Sequence, residues 1–223
     1  MNVLVSGARG ALGSAVTDVL LGTGYTVTGV GRRATTAARD RFHWLSSDLS
    51  SSAAAAALIS DALSLTGSLD AVVHTVGGFA ADGPVQATTD ATWDTMLQQN
   101  LNSAFYLFRA VLPHFIERRQ GRLLAIGTRT VAQPAPGLSA YTVSKSALHA
   151  LVRTLALELK GTGVTANIVM PSVIDTAANR QAMPAAHFET WVKPEAIAKC
   201  LLWLASAESA EISGAEIPIY GNA

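Results

Sequence analysis

Val3-Leu4-Val5-Ser6-Gly7-Ala8-Arg9-Gly10-Ala11-Leu12-Gly13 opens the chain, and the order of residue types in this stretch decides the fold. A short apolar run suited to a buried strand ends in three glycines, each three places from the next. A helix-period segment, Ala11 to Leu21, follows directly. Glycines between a strand and a helix allow a tight turn, a close backbone approach to a pyrophosphate, and tight helix–strand packing. The helix then presents free N–H groups and the positive end of its dipole to phosphates. Plain strand-to-helix turns also carry glycine triplets. Its place in the first βα unit nevertheless favours a dinucleotide site made by Gly7, Arg9, Gly10, Ala11, Leu12 and Gly13.

Working outward, apolar runs alternate with helix-period segments to the end of the chain. Strands are expected at Tyr25 to Val30, Phe42 to Leu45, Leu69 to His74, Arg122 to Ile126, Val164 to Val169 and Glu216 to Tyr220. Helices are expected at Ala53 to Leu65, Ala91 to Arg118, Ser139 to Leu159 and Pro194 to Ala205, the last with proline in its first turn, where a missing N–H does no harm. Such alternation predicts an α/β, single-domain Rossmann fold over residues 1–223: a doubly wound, mostly parallel seven-stranded sheet with helices on both faces. Thr128 to Leu138 and Pro171 to Pro194 are the least regular stretches. Both follow strands and so fall on the ligand side of an open sheet. The second reads as a lid, and its Met183, Phe188 and Trp191 suit an apolar pocket wall and packing against the domain equally.

Composition narrows the function classes. The 223 residues are 49% hydrophobic and 14% charged, with 16 basic and 16 acidic side chains and zero net charge. That is ample for a core, too little charge for disorder, and without the basic excess of a nucleic-acid binder. No apolar run nears the ~18 residues of a membrane span. Ser6 to Gly10 interrupts anything like a signal peptide. The single cysteine, Cys200, cannot form an internal disulfide, which suits a cytoplasmic protein. No metal site is expected.

Two further patterns carry chemistry. NAD sites usually place an acid after the second strand, whereas this chain has Gly31-Arg32-Arg33. Arginine binds a ribose phosphate through forked, charge-assisted bonds. If these are not simply two solvated loop arginines, NADP(H) is favoured, with NAD(H) possible. Tyr141 and Lys145 stand four apart at a helix start, so they share one face. A phenol is a poor proton source near neutrality, and a neighbouring ammonium would lower its pKa toward a useful range. Asn100 lies at the edge of the apolar stripe Trp93, Leu97, Leu101, Ala104, Phe105 and Phe108. A buried amide there needs partners, structural or functional.

The ordered set Gly7/Gly10/Gly13, Asp48, Gly77, Asn100, Tyr141/Lys145 and Pro171/Thr176 resembles the short-chain dehydrogenase/reductase family over essentially the whole chain. That resemblance implies Tyr141 as general acid/base, Lys145 on the nicotinamide ribose, Asn100 holding a proton-relay water, and Thr128 where the family's hydroxyl residue stands. It also implies cofactor contacts from Asp48 and Leu49, from Val76, Gly77 and Gly78, and from Pro171, Val173 and Thr176. Asp48 reads equally as a helix cap. His74 reads as a structural histidine rather than a catalyst. The resemblance further implies a homodimer or homotetramer paired through the two long helices, which Phe105, Phe108, Leu148 and Leu151 would permit. The glycine turn, the Val76–Ala80 stretch, the Lys145–His149 run and the Asn179–Trp191 segment look like the dihydropteridine reductase branch. The expected function is hydride transfer between NADPH and a small carbonyl or alcohol. The alternatives are quinonoid dihydropteridine reduction and a catalytically silent NADP sensor.

Overall fold

A computed structural model describes residues 1–33 and 39–222. The strands are β1 (Asn2–Ser6), β2 (Thr26–Gly31), β3 (Phe42–Ser46), β4 (Ala71–His74), β5 (Gly121–Ile126), β6 (Val164–Pro171) and β7 (Glu216–Ile219). They form one seven-stranded sheet in the order β3-β2-β1-β4-β5-β6-β7. Every pairing is parallel. Strand order reverses between β1 and β4, which opens a crevice beyond their carboxyl ends.

The apolar runs follow from this geometry. Strands covered on both faces lose the alternation of half-buried strands, and β4, β5 and β6 are buried along their whole length. The helices are α1 (Ala11–Gly22), α2 (Ser52–Thr66), α3 (Asp90–Leu97), α4 (Ser103–Arg118), α5 (Ser139–Glu158), α6 (Ala177–Ala182) and α7 (Pro194–Ala205). On one face, α2, α4 and α5 bury Leu58, Phe108, Phe115 and Leu148 against Leu4, Val72 and Ile168. On the other, α1 and α7 bury Val16, Leu20, Ile197 and Leu201 against Val3, Val5 and Val73.

Three expectations change here. The long helix is not uniform: between α3 and α4 a π-helical turn spans Gln98–Asn102. One wide turn rotates the side chains that follow it, and such turns cluster at functional sites. This one carries Asn100, which is fully buried. Phe108 and Leu148 are buried in the core rather than turned toward a partner, and Phe105 is the exposed aromatic of that helix. Trp191 is also a core residue, at 9% exposure, packed edge-to-face on Phe188 with ring centroids 4.9 Å apart. The stretch it closes contains α6 and a parallel bridge from Ile174 to Val192. Among the described residues no helix is long and apolar enough to cross a membrane, and no acidic, histidine and cysteine cluster suits a metal.

Candidate active site

The crevice is built first from backbone. Gly7 adopts φ +76°, open to glycine at little strain, and its N–H and that of Ala8 both donate to the Val30 carbonyl, at 2.9 and 3.2 Å. A Cβ on Gly13 would stand 2.1 Å from the Gly7 carbonyl oxygen, so helix and turn approach too closely for any side chain. Gly10 differs. Its φ is −69°, and a Cβ there would meet only the Gly7 oxygen, at 3.3 Å. Packing within the protein therefore presses far less for glycine at position 10 than at position 13, whereas a ligand backed onto the turn would demand it. Gly10 is also the N-cap of α1 and offers no capping side chain, with no acid in the first turn. That is a cradle for a phosphate, and the residues present fit a dinucleotide.

Beside it, Ala8, Arg9, Ser14, Thr17, Arg39, Phe42 and Trp44 line a hollow of about 260 Å³. Arg32 and Arg33 follow β2 as exposed side chains. Trp44 fixes their backbone: its Nε1 donates to the Arg33 carbonyl at 3.1 Å, and its ring lies 2.9 Å from where a Cβ on Gly31 would be. Asp48 does not cap α2. That role belongs to Ser51, which accepts from the Ala54 N–H at 3.2 Å. Asp48 instead accepts from the Ser50 N–H at 2.9 Å, and that bond, with help from Arg32, holds its carboxyl below the usual range. Leu49 is buried at φ +52°, a left-handed conformation costing a non-glycine residue roughly 1 kcal/mol.

The other side of the crevice, where Tyr141 and Lys145 stand, is built from side chains. Tyr141 and Lys145 share one face of α5, and Lys145 is 5% exposed. Its Nζ donates to the Ile126 carbonyl at 2.8 Å, and burial lowers its pKa to about 8. The Tyr141 ring stands edge-to-face with Phe79, centroids 5.0 Å apart. Burial raises the Tyr141 pKa, with the Thr128 hydroxyl pulling the other way. The expected lowering by Lys145 is thus reversed. The ammonium is committed to a main-chain carbonyl, and desolvation of a phenolate outweighs it. Tyr141 is held as a neutral phenol, the form that donates a proton. The Thr128 hydroxyl is oriented by the Thr130 N–H at 3.2 Å and the Thr130 hydroxyl at 3.0 Å.

Asn100 joins the two sides. Its Oδ1 accepts from the Gly78 N–H at 2.9 Å, while Nδ2 donates to the Gly78 carbonyl at 3.1 Å and to Ser144 Oγ at 3.0 Å. The side chain thus clamps the Gly77–Gly78 loop to α5. A Cβ on Gly77 would lie 3.0 Å from Asn100 Oδ1 and 3.2 Å from Lys145 Nζ, so this loop forms the wall behind both. Val76, just before it, packs against the core. Ser144 was not singled out by sequence. Its signal was its place on the Tyr141–Lys145 face, one turn from Tyr141, to whose carbonyl it donates at 2.8 Å.

His74 is wholly structural in its bonding. Ser103 Oγ donates to the Gln99 carbonyl at 2.9 Å, so it accepts from His74 Nε2 at 3.1 Å, and Nδ1 accepts from Ser6 Oγ at 2.8 Å. Only the neutral ring with its proton on Nε2 satisfies all three. Burial drops its pKa to about 3, in keeping with that form. The histidine therefore ties the glycine turn to the π turn. At the other rim, Thr176 caps α6 by accepting from the Asn179 N–H at 3.2 Å. Pro171 ends β6, and the Val173 carbonyl accepts from the Val192 N–H at 3.0 Å. The family-implied residues thus gather around one crevice from β1, β2, β3, β4, β5 and β6.

The family model described as short chain dehydrogenase matches residues 1–186. Nodulation protein G of Rhizobium sp. (strain N33) is 31% identical, over 98% of this chain and 95% of its own. The 3-oxoacyl-acyl-carrier-protein reductase FabG of Pseudomonas aeruginosa is 30% identical, over 98% of this chain and 95% of its own. Among solved structures, one titled "ElxO with NADP Bound" superposes with a TM-score of 0.92 at 20% identity, covering 99% of this chain and 97% of that one.

Proposed function

The chain belongs to the short-chain dehydrogenase family, oxidoreductases of alcohol and carbonyl groups, and we propose that it is an NADPH-preferring carbonyl reductase with Tyr141 as its general acid. The observation that carries this reading is the half-buried Tyr141 phenol beside the Thr128 hydroxyl, backed by Lys145 and the Asn100-clamped loop. When bound, the nicotinamide supplies the hydride. Gly7, Gly10 and the free amides of α1 hold its pyrophosphate. Arg32 and Arg33, with Arg9 at the lip of the neighbouring hollow, take the ribose phosphate, and the likeness to a fold that binds NADP supports the preference. Thr128 orients the substrate oxygen, Tyr141 gives it a proton, and the Lys145 ammonium stabilises the phenolate left behind. Pairing through α4 and α5 into a homodimer or homotetramer belongs to the same reading, supported by exposed Phe105.

NADPH and NADH oxidation against small carbonyls, quinones and quinonoid dihydropterin tests the proposal. Tyr141→Phe should cut carbonyl turnover about 10²- to 10⁴-fold with cofactor affinity intact. The reductive kcat should fall as pH rises through about 8, where Lys145 loses its proton. Unchanged turnover in Tyr141→Phe, or a strong preference for NADH, overturns the corresponding half. A second reading rests on Phe79. This ring is 66% exposed yet touches Tyr141, so it offers a face to a planar substrate such as a quinonoid pterin. For that easily reduced ring, Tyr141→Phe should matter far less. Tight NADPH binding with no turnover at all would instead make the chain a sensor.

A further inference from the structure

The segment Ile126–Gly127–Thr128 is the floor of the catalytic side. Ile126 supplies the carbonyl that holds Lys145, and Thr128 supplies the hydroxyl beside Tyr141. Between them, Gly127 bonds its N–H to the Val169 carbonyl at 2.8 Å. It has no positive φ to require glycine. What excludes a side chain there is one ring: a Cβ on Gly127 would stand 2.2 Å from His149 Nε2, 3.0 Å from Cε1 and 3.1 Å from Cδ2.

His149 sits on α5 one turn beyond Lys145 and is 1% exposed. Neither ring nitrogen makes a hydrogen bond of ordinary geometry. Beside it stands Glu216, at the start of β7, whose Oε1 lies 3.3 Å from Nδ1 and 3.5 Å from Arg153 Nε. Burial lowers the imidazole pKa, as do Lys145 and Arg153, while Glu216 opposes them. A buried imidazole without ordinary bonds is unfavourable, and an aliphatic residue would fill a helix-to-sheet contact with no polar group to satisfy. A flat ring turned by a carboxylate and set against a glycine is a wedge of fixed orientation.

We infer that His149, aligned by Glu216, is a positioning residue that sets the height of Gly127 and with it the Ile126 carbonyl and Thr128 hydroxyl that serve Lys145 and Tyr141. Its action passes wholly through those neighbours, and the ring touches neither substrate nor cofactor. This inference rests on the catalytic reading of Tyr141 and Lys145.

The test is a cycle of Gly127→Ala, His149→Ala and the double variant, assayed with NADPH and a planar diketone such as phenanthrenequinone. Melting curves and NADPH fluorescence titrations accompany each protein. Gly127→Ala should lower kcat about a hundredfold and His149→Ala about tenfold, since displacements near 1 Å carry effects of that size. The double variant should recover about tenfold over Gly127→Ala, because the new methyl enters space the ring has left. NADPH affinity should stay within about twofold of wild type throughout, because a misplaced floor alters the reacting geometry and leaves the phosphate cradle alone. Additive losses in the double variant overturn the inference. Should Gly127→Ala fail to fold, Glu216→Gln carries the test: kcat about fivefold lower with an unchanged NADPH KM supports the wedge, and unchanged kcat overturns it. Tyr141→Phe run in parallel separates the two readings. Its full activity would remove the catalytic assignment, whereas its inactivity beside an additive cycle would remove only the role of His149.

Discussion

The two walls of the crevice are made of different material. The wall proposed to hold the cofactor is backbone: a glycine turn, the bare end of α1, and exposed arginines held by their main chain against Trp44. The wall proposed for catalysis is side chain: Asn100, Ser144 and Lys145 are all buried, and each is bonded to a named partner. Backbone amides keep their position and polarity whatever surrounds them, so the first wall can stay wet. The second depends on exclusion of water, which lowers the Lys145 pKa, raises that of Tyr141 and makes every unsatisfied group costly.

Three substitutions sharpen that contrast, in descending order of effect. Gly13→Ala should be the most damaging, because its methyl would enter the Gly7 carbonyl and no flexible atom can yield. A loss of about 3 kcal/mol in denaturant melts is expected, and a normal melt would show that the turn is looser than its geometry. Asn100→Ala strips the Gly78 N–H and carbonyl of their partners at once. It should reduce stability by about 1–3 kcal/mol. It should also lower kcat about a hundredfold, because the wall behind Lys145 moves. An effect on NADPH affinity alone would place Asn100 with the cofactor wall instead. Gly10→Ala should be the mildest: a normal melt, with NADPH bound about tenfold more weakly, or roughly 1.4 kcal/mol. Unaltered affinity would mean that no ligand backs onto position 10.

Much of the molecule could be read before folding. Strand and helix order follows from periodicity, since a parallel sheet covered on both faces needs apolar runs such as Val3–Val5 and Ala71–Val73. Tyr141 and Lys145 are recognisable because a four-residue spacing fixes a shared face before any tertiary contact exists. The π turn at Gln98–Asn102 was hidden, because one inserted residue disturbs an apolar stripe too little to register. The polar chain through Ser6, His74 and Ser103 was equally hidden, as its members come from three separate elements. Phe108, Leu148 and Trp191 could not be assigned to core, partner or pocket for a related reason. Large apolar residues look alike in sequence whether they face the core, a partner or a pocket.

The sequence by itself determined the layers of the sheet, the glycine cradle, the arginines after β2 and the pairing of Tyr141 with Lys145. All of these depend on local spacing and backbone freedom. Only the tertiary structure decided the sign of the Tyr141 shift, the partners of Asn100 and the dependence of Gly127 on His149. Each of those balances burial against contacts brought from distant parts of the chain, and neither side of the balance exists until the chain has packed.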